Sequence, residues 1–535
     1  MDFNEFLSQS CHSIGNKNFV TLLELNEPDQ STTFNSITGS QFLKSVEETA
    51  SRLDLSQLQN HKVAILSENS LELLILFCAC LLRGAQVCLL DYKLTLHEID
   101  QILADFKPHF LFLDTKKWKS VDYFDLVKTK LINIQDLKNI PLNMTNSTRA
   151  IGKQDSQKIL VYTSGTSGSP KGVVLDISVI FFEVQSLKNS FKRDYSNRKT
   201  MSILPLNHIY GLIGFFMSLW CDQEILLTQS LAPTHIRQLI QEKKPDYLYV
   251  VPQFLWLIRN RVIDGIKAKP FLIRMIAFSM LWLNKYLRSE RIANKFFGEI
   301  RKQIGSSIEF SISGGAPLSK SVFDFFEAIK IPVCNGYGLS ETGPVISTNN
   351  LQFRRRGSVG KVIDGVTVKL DSVSGEILVK GPNIFLEYYG KNELTQQSFT
   401  TDRWFKTGDL GYLDKDGYLF VDGRSKNMIV LPSGKKIQPE EIEGHFSQLP
   451  FLKNCCFIYG GAKNKIKKLY LVVELNEGLL LADKASYIQS LVQSSQSLAA
   501  FKRPQEFLFR STPLPMTTTL KVKRFLVQRE IDSEC

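Results

Sequence analysis

Long uncharged apolar runs are missing from this sequence. The stretch Leu73 to Leu82, closed off by Glu72 and Arg83, falls well short of the about 18 residues that a membrane-spanning helix needs. The opening residues, MDFNEFLSQS, lack the basic and apolar regions of a signal peptide, so export is not expected and a cytoplasmic place is. The nine cysteines lack any paired metal-binding spacing. Cys78 and Cys80 sit inside an apolar helix-like run and Cys455 and Cys456 are adjacent in a strand-like one, a pattern of buried, reduced thiols. Acidic residues are in deficit, Lys and Arg exceeding Asp and Glu by 12, which invites nucleic acid or an anionic membrane surface as partner. No nucleic-acid motif accompanies that charge, so nucleic acid is not expected.

What is present is a chain of 535 residues, too long for one hydrophobic core and expected to hold two or more domains. Its central stretch is Leu160 to Leu175, LVYTSGTSGSPKGVVL, where one strand-like apolar run breaks into a loop of small residues, Thr163 to Gly172, and returns to another. Gly165, Gly168 and Gly172 let the backbone approach a ligand, and Thr163, Ser164, Thr166, Ser167 and Ser169 supply hydroxyl donors. Lys171 adds positive charge suited to nucleotide phosphates. The Walker A pattern fails, because Pro170 stands where its second glycine belongs and Gly172 follows the lysine. Taken alone, the stretch could also be a hydroxyl-rich hairpin.

Along the chain, Ser31 to Leu53 reads as a short segment entering an amphipathic helix. Lys62 to Ser67, Leu71 to Leu82 and Gln86 to Leu90 read as strand, helix and strand, and Phe110 to Leu113 as a further strand, which predicts a parallel sheet. His109 and Asp114 match the spacing of an acyltransferase motif, but five residues apart on a strand they would point to opposite faces. Ile225 to Leu227 and Tyr247 to Val251, with the helix Pro233 to Glu242 between, form a second such unit. Gly265 to Gly305 carries nine basic residues against Glu290 and Glu299, interleaved with aromatics such as Phe271, Phe278 and Trp282. This mix reads as basic amphipathic helix, either a helical pair packed on the body with a solvated basic face or a segment docked on anionic lipid.

Six further motifs follow or flank that segment. They are LPLNHIYGL from Leu204, with His208 among apolar residues, and SGGAPL from Ser313, with Gly314, Gly315 and Ala316. NGYGLSETGP from Asn335 sets Tyr337, Gly338, Ser340 and Glu341 in a glycine-flanked loop, and WFKTGDLG from Trp404 holds Asp409. The run from Gly423 to Glu443 contains Arg424, Lys426 and Gly434, and PLPMTTTLKVKR from Pro513 contains Lys521. Strands at Phe457 to Ile458 and Leu469 to Glu474 and a helix at Ala485 to Ala499 make the end of the chain small and mixed.

In this order the motifs resemble the signature set of the adenylate-forming superfamily, the acyl-CoA synthetases, luciferases and peptide-synthetase adenylation domains. The nearest likeness within it is to bacterial long-chain fatty acid:CoA ligases, and it runs from about Ser31 to Val527. The resemblance implies an α/β fold: a large N-terminal domain, residues 1–424, of parallel-sheet βα layers plus a small β-rich lobe, and a smaller mobile α+β domain, residues 425–535. It also implies roles. Thr163, Ser164, Gly165, Thr166, Ser167, Gly168 and Lys171 would hold the phosphates of ATP, and Gly314, Gly315 and Ala316 would border the nucleotide. Tyr337, beside Gly338, would stack on adenine; Ser340, where the family more often has Thr, would bond the α-phosphate, and Glu341 would hold Mg²⁺. Asp409 would bind ribose, Arg424 would contact ribose or phosphate, Lys426 would be the hinge and Gly434 would border the pantetheine tunnel. Lys521 would be the adenylating lysine, although Leu520 precedes it where the family often has Gly. His208 would line the acyl channel near the carboxylate. The expected activity is ATP-dependent joining of a fatty acid, long rather than short, to CoA. Two other readings stay open, transfer to an acyl carrier protein and a silent nucleotide or lipid binder.

Overall fold

The computed structural model describes residues 2–26, 31–53, 61–114, 130–134, 157–164, 170–447, 449, 451–461, 467–476, 479, 484–517 and 522–534. Two large sheets and the helices between and outside them account for most of these. Six parallel strands form the middle of the larger, thirteen-stranded sheet: Val333–Tyr337, Phe310–Ser313, Tyr247–Val250, Lys199–Ser202, Glu224–Thr228 and Asn18–Asn26. The smaller sheet has seven strands, and Lys158–Ser164, Gln86–Leu90, Lys62–Leu66, Phe110–Leu113 and Lys130–Asn133 are its parallel members.

The helix Leu71–Leu82 shows why the layers stack as they do. Ser70 caps it by accepting from the Leu73 N–H, and its sequence LELLILFCACLL is apolar on nearly every face. A helix of that kind is stable only when covered all round. Together with the equally apolar helix Ile209–Trp220, it fills a core bounded by Val63, Ile65 and Val87 of one sheet and Phe19, Ile225 and Tyr249 of the other. The outer face of the smaller sheet is covered by the helix Leu96–Phe106. That of the larger sheet is covered by a group including Pro233–Lys243, Pro252–Lys267 and Lys320–Ala328.

Several expectations change in detail. Ser31 to Thr38 is not a loose lead-in but a strand antiparallel to Asn18–Asn26, closing one edge of the larger sheet. The helix Phe3–Ile14, which carried no motif, packs Phe3 and Phe6 into the main core. The small β-rich lobe is continuous with the larger sheet, its strands extending it antiparallel from Ser347–Thr348 to Thr367–Leu370. Gly265 to Gly305 holds the end of Pro252–Lys267 followed by a helical pair, Phe271–Leu287 and Glu290–Gly305. His109 has a structural task, its Nδ1 accepting the Lys62 N–H at 3.0 Å.

The final portion builds a three-stranded sheet from Leu452–Gly460, Lys468–Leu475 and Glu506–Phe509, covered by Pro439–Phe446, Lys484–Ser495 and Arg524–Glu534. The Arg524 guanidinium holds this unit together, donating to both oxygens of Glu443 at 2.6 and 2.8 Å and to the Phe457 carbonyl at 2.7 Å. The eight described cysteines are unpaired, and all except the half-buried Cys455 are buried. Burial pushes the thiols of Cys11, Cys80 and Cys334 up to about 12.

Candidate active site

The two apolar runs around the central loop pair as an antiparallel hairpin, Lys158–Ser164 with Pro170–Asp176, whose first strand joins the parallel part of the smaller sheet and whose second extends it antiparallel. Pairing continues to Ser164 opposite Pro170, so the connecting loop is shorter than the Thr163 to Gly172 expected from composition. Its residues, Gly165, Thr166, Ser167, Gly168 and Ser169, lie outside the described residues. The helix Leu96–Phe106 braces the hairpin, Asp105 accepting from the Tyr162 hydroxyl at 2.7 Å.

Lys171, opposite Thr163 in the hairpin, leaves it towards Glu341 and Lys426. Burial, and next the neighbouring Lys426, push the Lys171 ammonium below its ordinary value; Glu341 opposes this and Lys391 adds to it. Three cations crowded beside one carboxylate are the electrostatic shape of a polyanion site. Glu341 lies in the single turn Ser340–Thr342, and the Tyr388 hydroxyl donates to its Oε1 at 2.8 Å. Burial and the Glu341 charge both raise the Tyr388 phenol, so it stays a donor. Tyr388 belongs to a two-residue strand paired with Val173 of the hairpin, which ties Glu341 to the loop's base. No motif pointed to Tyr388; the only signal was the tyrosine pair in EYYG.

The turn bearing Glu341 depends on Gly338. A Cβ there would lie 1.8 Å from the Pro344 carbonyl oxygen, a distance no side chain tolerates. Below it the turn rests on a buried acid, Glu183 of the helix Ile177–Phe191, whose Oε1 accepts the Val345 N–H at 3.2 Å. Asn383 lies against the same carboxyl and donates to the Thr342 and Val345 carbonyls at 3.1 and 2.9 Å. Burial holds Glu183 well above the usual carboxylate range.

A second cluster lies on the adjoining strands. Asp409 is buried at the bulge of Phe405–Leu413, opposite Arg424 at the end of Tyr418–Arg424. Its Oδ2 accepts from the Tyr337 hydroxyl at 2.7 Å and its Oδ1 meets the Arg424 guanidinium at 3.0 Å. Burial, then Asp409, raise the Tyr337 phenol well above its ordinary value. Gly314, Gly315 and Ala316 follow Phe310–Ser313, whose Ser313 is in register with Asn335, so this turn borders Tyr337. A Cβ on Gly314 would touch the ring of Tyr210 at 3.4 Å, and the Tyr210 hydroxyl donates to the Ile312 carbonyl at 3.0 Å.

His208 stands two residues before Tyr210, at the N-terminus of Ile209–Trp220, and its Nε2 is 3.8 Å from Asp91 Oδ2. Asn69 holds this segment, bonding the Leu204 carbonyl and the Leu206 N–H. The structure therefore brings Lys171, Tyr337, Glu341, Asp409, Arg424 and Lys426 to one place, with Ser340 in the turn of Glu341, while His208 stands beside Asp91. Gly434, at φ +76°, turns the hairpin of Ile429–Val430 and Lys436–Ile437, with open space where a side chain would stand. Lys521 lies outside the described residues. The ends of its loop are joined by the Met516 to Val522 bridge, and Lys523 donates to Glu98 at 2.9 Å. That ion pair ties Lys523 to the helix bracing the hairpin.

Two α/β sheets that deliver glycine-rich turns, a hydroxyl hairpin and an aromatic, carboxylate and guanidinium set to one cleft define a nucleotide-handling protein. The family profile of AMP-binding enzymes matches residues 23–389, most of the chain, and the chain belongs to that family, within the adenylate-forming superfamily. The 2-succinylbenzoate–CoA ligase of Bacillus licheniformis is 27% identical over 497 residues, 90% of this chain and 93% of that protein. The long-chain-fatty-acid–CoA ligase 1 of Saccharomyces cerevisiae is 29% identical over 339 residues, 58% of this chain and 48% of that protein, so the match spans about half of the yeast protein. Among solved structures, the anthranilate CoA ligase AuaEII in complex with anthranoyl-AMP superposes with a TM-score of 0.79 at 20% identity, covering 99% of this chain and 97% of that one.

Proposed function

We propose that this chain activates a carboxylic acid with ATP, forming an acyl-adenylate and pyrophosphate, and then transfers the acyl group to CoA with release of AMP. We further propose that the acid is a long-chain fatty acid. The observation that carries the reading is the crowding of Lys171 and Lys426 around Glu341, beside the Tyr337, Asp409 and Arg424 set. The acids named for relatives range from succinylbenzoate to long-chain fatty acids, and the preference for a long chain draws on the yeast relative and on the apolar helix described below.

A carboxylate nucleophile is already ionised at neutral pH, so the first step needs placement and positive charge rather than a base. In our assignment Lys171 and the hydroxyls of residues 163–169 hold the leaving phosphates, and Ser340 holds the α-phosphate. Tyr337 borders the adenine while Asp409 and Arg424 hold the ribose. Among the described residues no group of three or more His, Cys, Asp or Glu could cage a metal. One hard carboxylate beside phosphates is instead the setting that suits Mg²⁺, and Glu341 is the residue that would hold it. When bound, the ion offsets charge on the phosphates. His208, next to Asp91, borders the acid's carboxylate.

For the second step we assign residues 425–535 as a domain that turns about Lys426, withdrawing Lys521 and bringing the segment of Gly434 to the thiol path. The Lys523 to Glu98 pair would have to break in that turn. Both side chains are partly exposed, so the pair is worth ~0.5–1 kcal/mol. Glu98→Gln is therefore expected to slow adenylation about two- to fivefold while changing thioester formation from added acyl-adenylate less. Equal slowing of both half-reactions would remove the pair from the turn.

The reading is tested by acid-dependent AMP release with ATP and Mg²⁺ over acids from acetate to oleate, each with and without CoA. CoA-dependent release, greatest for the long acids, is the expected result. Adenylation without a response to CoA would make a carrier protein the acceptor, and no adenylation with any acid would leave a binding protein.

A further inference from the structure

The helix Phe271–Leu287 is built inside out. Its inner side is pinned by Asn284, fully buried, which donates to the Ala328 carbonyl at 2.6 Å and accepts the Ser289 N–H at 2.9 Å, and by Leu281 in the outer core. At 100° per residue the opposite side carries Phe271, Leu272, Met275, Ile276, Trp282 and Tyr286 without a single charge. Leu272, Ile276 and Trp282 are 65%, 48% and 62% exposed. A contiguous apolar face on a firmly held helix needs a partner.

The helix carries no carboxylate, and its two charges lie against outward rings: Arg274 is 5.5 Å from the centre of Phe271 and Lys285 is 4.8 Å from that of Tyr286. Among the described residues, Lys269, Arg274, Arg291 and Lys295 have no carboxylate within ion-pair reach. A second copy of this chain would set that basic rim against its own like charge. An anionic lipid surface offers both an apolar interior and negative headgroups.

We propose that the outward face of Phe271–Leu287 lies in the plane of an anionic membrane surface, its aromatic and aliphatic side chains at the acyl boundary and the rim cations on the headgroups. Among the described residues no helix is long and apolar enough to cross a bilayer, and this one, about 25 Å long, lies along it. The proposal goes beyond the ligase reading and stands without it, because lipid binding is measured with neither acid nor nucleotide.

The test is sedimentation of the full chain with vesicles of phosphatidylcholine alone or with about a third phosphatidylglycerol. Binding to the anionic vesicles is expected to be at least about tenfold tighter, to weaken with salt and to bring a blue shift in tryptophan emission. Leu272→Ser, Ile276→Ser and Trp282→Ser together, and separately Lys269→Glu, Arg291→Glu and Lys295→Glu together, are each expected to reduce it about tenfold or more with the thermal midpoint unchanged. No binding to anionic vesicles would overturn the proposal, as would binding that neither set of substitutions alters. A dimer that the serine substitutions dissolve, with vesicle binding unchanged, would instead make the face an interface between copies.

Discussion

Lys521→Ala is expected to lower adenylation by about 10²–10³-fold while leaving thioester formation from preformed acyl-adenylate within about threefold of the parent. The expectation rests on where new charge appears. Adenylation builds negative charge between the acid's carboxylate and the α-phosphate, and a lysine delivered there is felt only in that step. Delivery is a matter of the loop's ends. The Met516 to Val522 bridge closes the loop, the Lys523 N–H donates to the Pro515 carbonyl at 2.7 Å, and the Lys523 ammonium reaches Glu98 on the helix beside the hairpin. Acid-dependent exchange of pyrophosphate into ATP reads the first half-reaction and CoA consumption with synthetic acyl-adenylate reads the second. Equal loss in both would show that Lys521 holds the cleft together rather than serving one step.

The second large effect is expected beneath the turn that bears Glu341, at Glu183. Its Oε2 and the Oδ1 of Asn383 are both buried, and neither meets a partner among the described residues. A proton on Glu183 would serve both atoms, and burial favours the protonated form by holding the carboxyl well above its ordinary value. Removing the side chain in Glu183→Ala strands the Val345 N–H and the Asn383 oxygen and opens a cavity, a loss of about 2–4 kcal/mol. Glu183→Gln keeps a neutral donor and acceptor in place and is expected to fold normally. The two should differ in pH dependence too. In the unfolded chain the carboxyl ionises near 4.5, whereas in the folded chain it holds its proton well above that. Between those values the folded state binds the extra proton, so the parent's stability falls as pH rises, and the Gln variant lacks that slope. Urea unfolding from about pH 5 to about pH 9 measures it; parallel pH profiles for parent and Gln variant would mean that Glu183 is ionised in the fold.

How far the sequence carries depends on whether a feature is local. The bounds of Leu71–Leu82, Gln86–Leu90 and Phe110–Leu113 emerge as read, because a capped apolar run between turn signals leaves one solution. The turn around Glu341 was legible for a related reason, since its tight backbone demands glycine at Gly338; the loop before Lys171 lies outside the described residues. Tyr388, Glu183 and the Lys523 to Glu98 pair were not, because each acts across 47 to 425 positions of chain. Glu183 did leave a trace, one acid inside ISVIFFEV, which marks a carboxyl that folding must bury. Composition showed that residues 265–305 are basic and aromatic. Which side of Phe271–Leu287 is covered is set by Asn284 and by the outer core, and no periodicity within the helix reports that.

The sealed thiols acquire a meaning from the proposed chemistry. An acyl-adenylate reacts with whichever thiolate reaches it first, and a protein that makes one risks acylating itself. Cys11, Cys78, Cys80, Cys88, Cys221, Cys334 and Cys456 are buried and held protonated, so none presents a thiolate to the cleft. For these seven described thiols, selectivity for the incoming acceptor thus needs no discrimination at the site, since they have been folded out of reach.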